Sequence, residues 1–339
     1  MKKIHRIFVM GLAVVFLMVS FSGCGGSKKA EPVSKKKDKY VIGFTQIGSE
    51  SEWRVANTEE IMAAYKAHPR FEILFSDAQQ KQENQIAAMR NFIQQKVDAI
   101  LLPAIVSTGW DAVLHEAKDA GIPVINYGRL ATVVTGKPED FFLCMVSPDN
   151  VYAGEVLAET FIKSFGNDPG PINVIELTGT VGASSTIDRA KGIHNVMDKQ
   201  NRVVIKYTQT GDYTRSTAKQ VMESILKTAQ TDKVQIRGLI SHNDDMAIGA
   251  SQAIVEAGLK PGVDIKIVGI DGVRGAFEAM VEGKYTATVE NPLGYGDETI
   301  RILLDYLDNG KKPEPFWQVL KNAVFTEKEA AAALPTRKY

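Results

Sequence analysis

The sequence predicts an α/β fold made of two lobes, each with its own parallel sheet. From Tyr40 onward, short apolar runs alternate with helical patterns almost without interruption, which is typical of βαβ units. About ten strands are predicted, more than one ordinary doubly wound sheet contains. The alternation breaks at Asp149-Asn150 and at Asn291-Pro292, where we expect the chain to cross between lobes. Such folds bind ligands at the carboxyl ends of their strands, so two facing lobes predict a cleft that closes on a small molecule.

The elements of the first lobe follow one another closely. Strands are predicted at 40–45, 71–75, 99–102 and 123–126. Helices are predicted around 55–65, at 81–95 and at 110–120. In the second of these helices Ile86, Met89 and Phe92 share one face, as expected for a helix packed on a sheet.

The second lobe continues the same alternation after a helix that ends at Phe165. Strands are predicted at 172–177, 203–207, 238–241, 265–270 and 286–289. Helices are predicted at 189–197, 215–228, 246–257, 273–281 and 295–307.

Residues 1–24 predict an export signal. Three basic residues precede an apolar core from 7 to 21, which is shorter than the ~20 apolar residues of a membrane span. Because Phe21-Ser22-Gly23-Cys24 resembles a bacterial lipobox, we expect lipidation of Cys24; simple secretion and an uncleaved anchor stay open as alternatives. Residues 25–39 are polar and rich in lysine, which predicts a flexible tether.

Composition and motifs exclude several classes of function. Lys plus Arg and Asp plus Glu both number 40, so the zero net charge predicts no nucleic-acid partner. Lipidation of Cys24 would leave Cys144 alone in an apolar run, where we expect a buried thiol. The Gly-rich loop 179–184 lacks the Gly-Lys-Ser/Thr of a phosphate loop, and Ser184 is in no Gly-x-Ser-x-Gly elbow. His242 lacks the partner ligands of a metal site, so we expect no cofactor, no metal and no enzyme.

The loop after the first strand concentrates side chains suited to a ligand. Its residues are Ser49, Glu50, Ser51, Glu52, Trp53 and Arg54. An indole can stack on the C–H face of a sugar ring while carboxylates and a guanidinium bind the hydroxyls. The alternative is a solvated helix N-terminus with one half-buried tryptophan.

Polar side chains also follow several other predicted strands. They are Gly128-Arg129, Arg189 after the Gly-rich loop, Asn243, Asp271 and Asn291. Any one of them is weak evidence, because Asn and Asp also cap helices and form turns. Their recurrence at the same end of successive strands predicts one shared site.

Six segments carry a family resemblance: 48–54, 79–86, 107–110, 179–184, 242–246 and 270–273. They resemble the galactofuranose-binding proteins of bacterial sugar ABC transporters, within the ribose-binding type of periplasmic binding protein. The resemblance implies a periplasmic binding protein type I fold, with two Rossmann-like lobes joined by a multi-stranded hinge and a monosaccharide held between them. We expect the N-terminal lobe at 40–148 plus 292–318 and the C-terminal lobe at 149–291 plus 319–339.

The resemblance also implies roles for the loop residues. Trp53 matches the stacking aromatic, and Ser49, Glu50 and Arg54 belong to the same sugar-contacting loop. Polar contacts to ring hydroxyls are implied for Arg129, Arg189, Asn243, Asp271 and the amide of Asn291.

Two positions depart from the family pattern. The family usually has Asp-Arg where this chain has Gly128-Arg129, and Gly where this chain has Glu52. Our hypothesis is that Glu52 restores an acid near the sugar. A changed sugar and a merely exposed Glu52 are the alternatives.

The predicted function is that of a monomeric, lipid-anchored solute-binding protein outside the cytoplasmic membrane, which delivers a monosaccharide to an ABC permease. The alternative is a sensory co-receptor that presents its ligand to a chemoreceptor or histidine kinase. A transcriptional repressor is disfavoured, because the segment before Tyr40 carries an export signal and shows no helix-turn-helix pattern.

Overall fold

A computed structural model describes residues 36–168 and 170–339. The predicted signal, Cys24 and residues 25–35 of the predicted tether lie outside the described residues. The described chain forms two six-stranded sheets, and helices pack on them. The predicted α/β fold with two mainly parallel sheets is confirmed.

The first sheet has the strand order β11-β5-β4-β3-β1-β2, and every neighbouring pair is parallel. Its strands are β1 (Tyr40–Gln46), β2 (Phe71–Asp77), β3 (Ala99–Leu102), β4 (Val124–Tyr127), β5 (Cys144–Pro148) and β11 (Trp317–Leu320). The helices between them are α1 (Glu52–Ala67), α2 (Gln82–Gln94) and α3 (Asp111–Asp119). A later helix, α9 (Tyr295–Asn309), packs against α1.

The second sheet has the order β12-β10-β9-β8-β6-β7, and only the β10–β12 pair is antiparallel. Its strands are β6 (Ile172–Thr178), β7 (Val203–Thr210), β8 (Ile236–Ser241), β9 (Lys266–Asp271), β10 (Ala287–Glu290) and β12 (Val324–Thr326). Its helices are α4 (Asn150–Ser164), α5 (Ser184–Met197), α6 (Arg215–Thr231), α7 (Asp244–Glu256), α8 (Arg274–Val281) and α10 (Glu327–Ala333).

Burial explains why the central strands could be predicted. All four residues of β3 and all four of β4 are buried, because helices cover both faces of a parallel sheet. Such strands appear in the sequence as continuous apolar runs. Strands β5, β11 and β12 and helix α10 were not predicted as elements. Strand β11 is an edge strand with exposed and half-buried residues in alternation, so it carries no such run.

The chain passes between the two sheets three times. The crossings follow β5, β10 and β11, at residues 149, 291–294 and 321–323. The first two lie where the sequence pattern breaks. The third lies beyond the predicted boundary at 318–319, which falls inside β11.

Two smaller expectations concern single features of the chain. Cys144 is a buried free thiol in β5, as expected. Among the described residues, no helix combines the length and the apolar character needed to cross a bilayer.

Candidate functional site

A cavity with an empty volume of about 380 Å³ lies where the carboxyl ends of strands from both sheets meet. Loops of the first sheet contribute Glu50, Ser51, Trp53, Arg54, Gly128 and Arg129 to its wall. Elements of the second sheet contribute Arg189, Asn243, Asp271 and Asn291. Residues from distant parts of the sequence therefore converge because the strand ends converge.

Two of the predicted site residues, Ser49 and Glu52, do not line this cavity. Ser49 is exposed. Glu52 is the first residue of α1, directly after the N-cap Ser51, and its side chain turns outward to Arg215 at 2.6 Å. Both side chains of this pair are about 40% exposed. The hypothesis that Glu52 supplies an acid to the cavity is therefore corrected: it pairs with a cation at the outer rim.

The acid that does reach the cavity from this loop is Glu50. Its Oε1 atom accepts hydrogen bonds from Arg54 at 3.2 Å and from Arg129 at 2.8 Å, and all three side chains are nearly buried. Burial alone would raise the pKa of Glu50, but the two guanidinium groups outweigh it and lower that pKa below its ordinary value. The other oxygen, Oε2, is buried and has no hydrogen-bond partner among the described residues. The Glu50 carboxylate is therefore charged, and its Oε2 atom is available to accept a hydrogen bond from a ligand.

Trp53 is almost fully buried beside this cluster. The guanidinium of Arg54 lies over its ring, 4.9 Å from the centroid. Its indole nitrogen donates a 2.7 Å hydrogen bond to the backbone carbonyl of Asn291. The alternative of a half-exposed tryptophan on a solvated helix end is therefore wrong.

Asp271 provides the second carboxylate of the cavity, at the end of β9. Its Oδ1 lies 3.6 Å from a guanidinium nitrogen of Arg189 and accepts a 3.3 Å hydrogen bond from the amide of Asn291. Burial raises the pKa of Asp271 to about 7, and the nearby Arg189 only partly opposes this. The acids Asp244 and Asp245 raise it further. Near neutral pH this carboxyl is therefore close to its midpoint of ionisation.

Arg189 and Asn243 are held by the second lobe itself. The Nε atom of Arg189 donates to Asn150 at 3.0 Å, and another guanidinium nitrogen donates to the backbone carbonyl of His242. The side chain of Asn243 caps α7 by accepting from the amide of Met246 at 2.9 Å. Asn243 thus lines the cavity and also fulfils the helix-cap role that its residue type allows.

Sequence reasoning missed five residues of the cavity wall: Pro148, Asn150, Ser185, Tyr213 and Tyr295. Tyr213 follows β7, so its position after a strand was an available signal. Its ring lies 4.5 Å from the guanidinium carbon of Arg129, which belongs to the other lobe. Tyr295 opens α9 and had no such signal, because it follows a crossing segment rather than a strand.

Loops of the two lobes also contact each other directly. The backbone amide of Ser107 donates to the carbonyl of Gly182 at 2.8 Å, and the amide of Leu130 donates to the Ser184 hydroxyl at 2.6 Å. The structure therefore represents a closed arrangement of the two lobes. Within the described residues, no three His, Cys, Asp or Glu side chains are grouped so that they could hold a metal ion.

Comparisons with known proteins agree with this architecture. The galactofuranose-binding protein YtfQ of Escherichia coli K12 is 43% identical over 274 residues, which cover 80% of this chain and 84% of YtfQ. The crystal structure of a galactofuranose-binding protein has 40% identity and a TM-score of 0.84, covering 88% of this chain and 98% of that one. The arabinose-transporter binding protein of Shewanella sp. ANA-3, solved with L-arabinofuranose, has 41% identity and a TM-score of 0.82, covering 88% and 95%.

These relatives are sugar-binding transport proteins and not enzymes. The periplasmic binding protein domain family matches residues 42–312 of the chain. The family resemblance inferred from the sequence motifs is thereby confirmed. The chain belongs to the periplasmic binding proteins.

Proposed function

We propose that this chain is the extracytoplasmic solute-binding protein of an ABC importer and that it binds a monosaccharide between its lobes. The proposed lobes comprise 40–148 with 292–320 and 149–291 with 321–339, so that the predicted boundary at 318–319 moves to the end of β11. The observation that carries the proposal is the composition of the cavity wall: two carboxylates, three guanidinium groups and an indole enclose one small buried space.

A polyhydroxylated ring matches this wall. Sugar hydroxyls donate hydrogen bonds to Glu50 and Asp271 and accept them from the guanidinium groups of the arginines. The apolar C–H face of the ring packs on Trp53. Because each buried polar group without a partner costs free energy, the wall selects a ligand that supplies hydroxyls in matching positions.

The proposed sugar is a furanose. The relatives above 40% identity include a galactofuranose-binding protein and a protein solved with arabinofuranose. In the C-terminal lobe the sugar-facing groups are Arg189, Asn243, Asp271 and Asn291.

We further propose that the protein delivers the bound sugar to an ABC permease. Lipidation of Cys24 would anchor the protein to the outer face of the cytoplasmic membrane, and residues 25–39 would act as the tether. The sugar binds the closed arrangement more tightly than the open one and therefore stabilises it. The permease recognises the closed monomer. A cross-linking pull-down that recovered a histidine kinase or chemoreceptor in place of a permease would overturn this part of the proposal.

A thermal-shift screen of the mature protein tests sugar binding. The panel contains pentoses and hexoses, with furanose and pyranose methyl glycosides of each. A sugar at a thousand times its dissociation constant should stabilise the protein by about 4 kcal/mol. A panel in which no sugar raises the melting temperature would contradict the proposal.

Two arginine variants distinguish cavity binding from binding elsewhere. Arg129→Ala removes a cation that bonds Glu50 in the wall, and we expect it to abolish the shift. Arg90→Ala removes an exposed cation that pairs with Glu116 outside the cavity, and the shift should remain.

A further inference from the structure

Tyr295 occupies the first position of α9, directly after the crossing segment 291–294. The start of this helix is tied to α1, because the Glu60 carboxylate accepts from the backbone amide of Gly296 at 2.9 Å and 3.2 Å. The backbone of Tyr295 is therefore fixed relative to the helix that carries Trp53.

The ring of Tyr295 is also fixed. It packs edge-on against Trp53 with centroids 6.1 Å apart and lies 5.1 Å from the ring of Tyr127. The residue is 0% exposed. Because both neighbouring rings are themselves buried, the phenol cannot turn its hydroxyl out to bulk solvent.

The hydroxyl of Tyr295 differs from those of the other fully buried tyrosines. Each of the others is bonded to a side chain: Tyr40 to Asp308, Tyr65 to Thr299, Tyr127 to Asn57 and Tyr285 to Asp244. Among the described residues, the Tyr295 hydroxyl has no partner. A buried hydroxyl left unpaired costs about 1–3 kcal/mol, so its retention needs an explanation.

The position of Tyr295 indicates where its hydroxyl can be used. Tyr295 lines the cavity together with Arg54, Arg189 and Asp271. Its unpaired hydroxyl is therefore a hydrogen-bonding group of the cavity wall, on the side of the crossing segment.

Two more polar atoms of the cavity wall are also buried without a hydrogen-bond partner. Glu50 Oε2 and Asn291 Oδ1 are buried and unpartnered among the described residues. Both atoms are acceptors only, so the hydroxyls of a bound sugar can satisfy them by donating hydrogen bonds. The Tyr295 hydroxyl can instead donate a hydrogen bond, so the wall offers a bound sugar one donor and two acceptors.

We infer that Tyr295 is a specificity-determining residue, whose hydroxyl donates a hydrogen bond to one oxygen of the bound sugar. This inference rests on the proposed sugar binding. A sugar that lacks the contacted oxygen leaves the phenol buried and unpaired, so the site discriminates against it. Glu50 and Asn291 select for hydroxyl donors at two other positions of the same ring.

Tyr295→Phe tests the inference, because it removes only the hydroxyl. Its matched control is Tyr65→Phe. That change removes a buried hydroxyl of α1 that bonds Thr299, which lies on α9 like Tyr295. For the sugar that wild type binds best, we expect calorimetry to give about threefold to tenfold weaker affinity for Tyr295→Phe. Its ligand-free melting temperature should equal or exceed that of wild type. Tyr65→Phe should melt lower and bind as tightly as wild type.

A series of deoxy analogues, each lacking one hydroxyl, identifies the contacted oxygen. One analogue should bind wild type and Tyr295→Phe with equal affinity, because the phenol has nothing to bond in either case. Equal affinity of Tyr295→Phe and wild type for every sugar would overturn the inference alone. A uniform loss across all analogues would indicate a packing role and would also overturn it. If wild type bound no sugar, both this inference and the proposed function would fail.

Discussion

The indole nitrogen of Trp53 donates a hydrogen bond to the backbone carbonyl of Asn291 across the meeting point of the two sheets, at 2.7 Å. Trp53 belongs to α1, after the first strand of one sheet, and Asn291 directly follows β10 of the other. Both residues line the cavity. A residue that lines the cavity therefore also bonds the segment where the chain crosses between the two sheets, and we propose that this bond couples sugar binding to closure.

Trp53→Phe should weaken sugar binding by about fivefold or more. The substitution keeps an aromatic ring but leaves the buried Asn291 carbonyl without its donor, which costs about 1–3 kcal/mol in the closed form. Calorimetry measures the affinity. Trp110→Phe is the matched control, because Trp110 also donates a 2.7 Å hydrogen bond to a backbone carbonyl, that of Val106 in its own lobe. That variant should melt lower and keep its affinity; an equal loss of affinity in both would contradict the coupling.

Glu52→Ala should change sugar affinity by less than about fivefold. The side chain pairs with Arg215 at the rim, where an exposed ion pair contributes about 0.2–1 kcal/mol. Glu116→Ala is the control, since it removes a similarly exposed partner of Arg90 within one lobe and should leave affinity unchanged. Calorimetry on both variants tests this. A loss of tenfold or more in Glu52→Ala alone would restore Glu52 to direct contact with the ligand.

Gly128→Asp should give a folded protein that loses about 1 kcal/mol of stability. Gly128 has a φ of +65°, a region that Asp tolerates better than most residues, and a Cβ there would meet no heavy atom within 4 Å. The new carboxylate would enter the wall and change the ranking of sugars in the thermal-shift screen. Gly192→Ala is the contrasting variant, because its Cβ would lie 2.0 Å from the Val151 carbonyl oxygen. We expect Gly192→Ala not to fold. If Gly128→Asp also failed to fold, the open space at Gly128 would be disproved.

Asp271→Asn should reduce the pH dependence of stability. In the unfolded chain Asp271 has a pKa near 3.8, whereas in the folded protein burial raises the pKa to about 7. Between these values the folded state holds a proton that the unfolded state has released, so stability present at pH 4 is lost as the pH rises through 7. Asparagine imitates the protonated side chain at every pH.

Calorimetric melting of ligand-free protein measures this difference. The melting temperature of Asp271→Asn minus that of wild type should be near zero at pH 4 and positive at pH 8. A constant difference across this range would show that Asp271 is ionised in the folded protein at pH 4.

The loop positions were predictable for a physical reason. The carboxyl ends of parallel strands meet at one edge of a sheet, so polar residues that follow apolar runs of the same sheet, such as Glu50 and Arg129, had to lie near one another. The edge strand β11 was not predictable in the same way, because its residues are partly exposed and give no apolar run.

The sequence by itself determined the α/β alternation, the two sheets and the loops that form the cavity, because hydrophobic periodicity is a local property of the chain. Only the tertiary structure decided where individual side chains point: Glu52 outward to Arg215, Glu50 inward between two guanidinium groups, and Tyr295 toward the cavity without a partner. Those directions depend on charges and rings supplied by residues distant along the chain, and no local pattern contains that information.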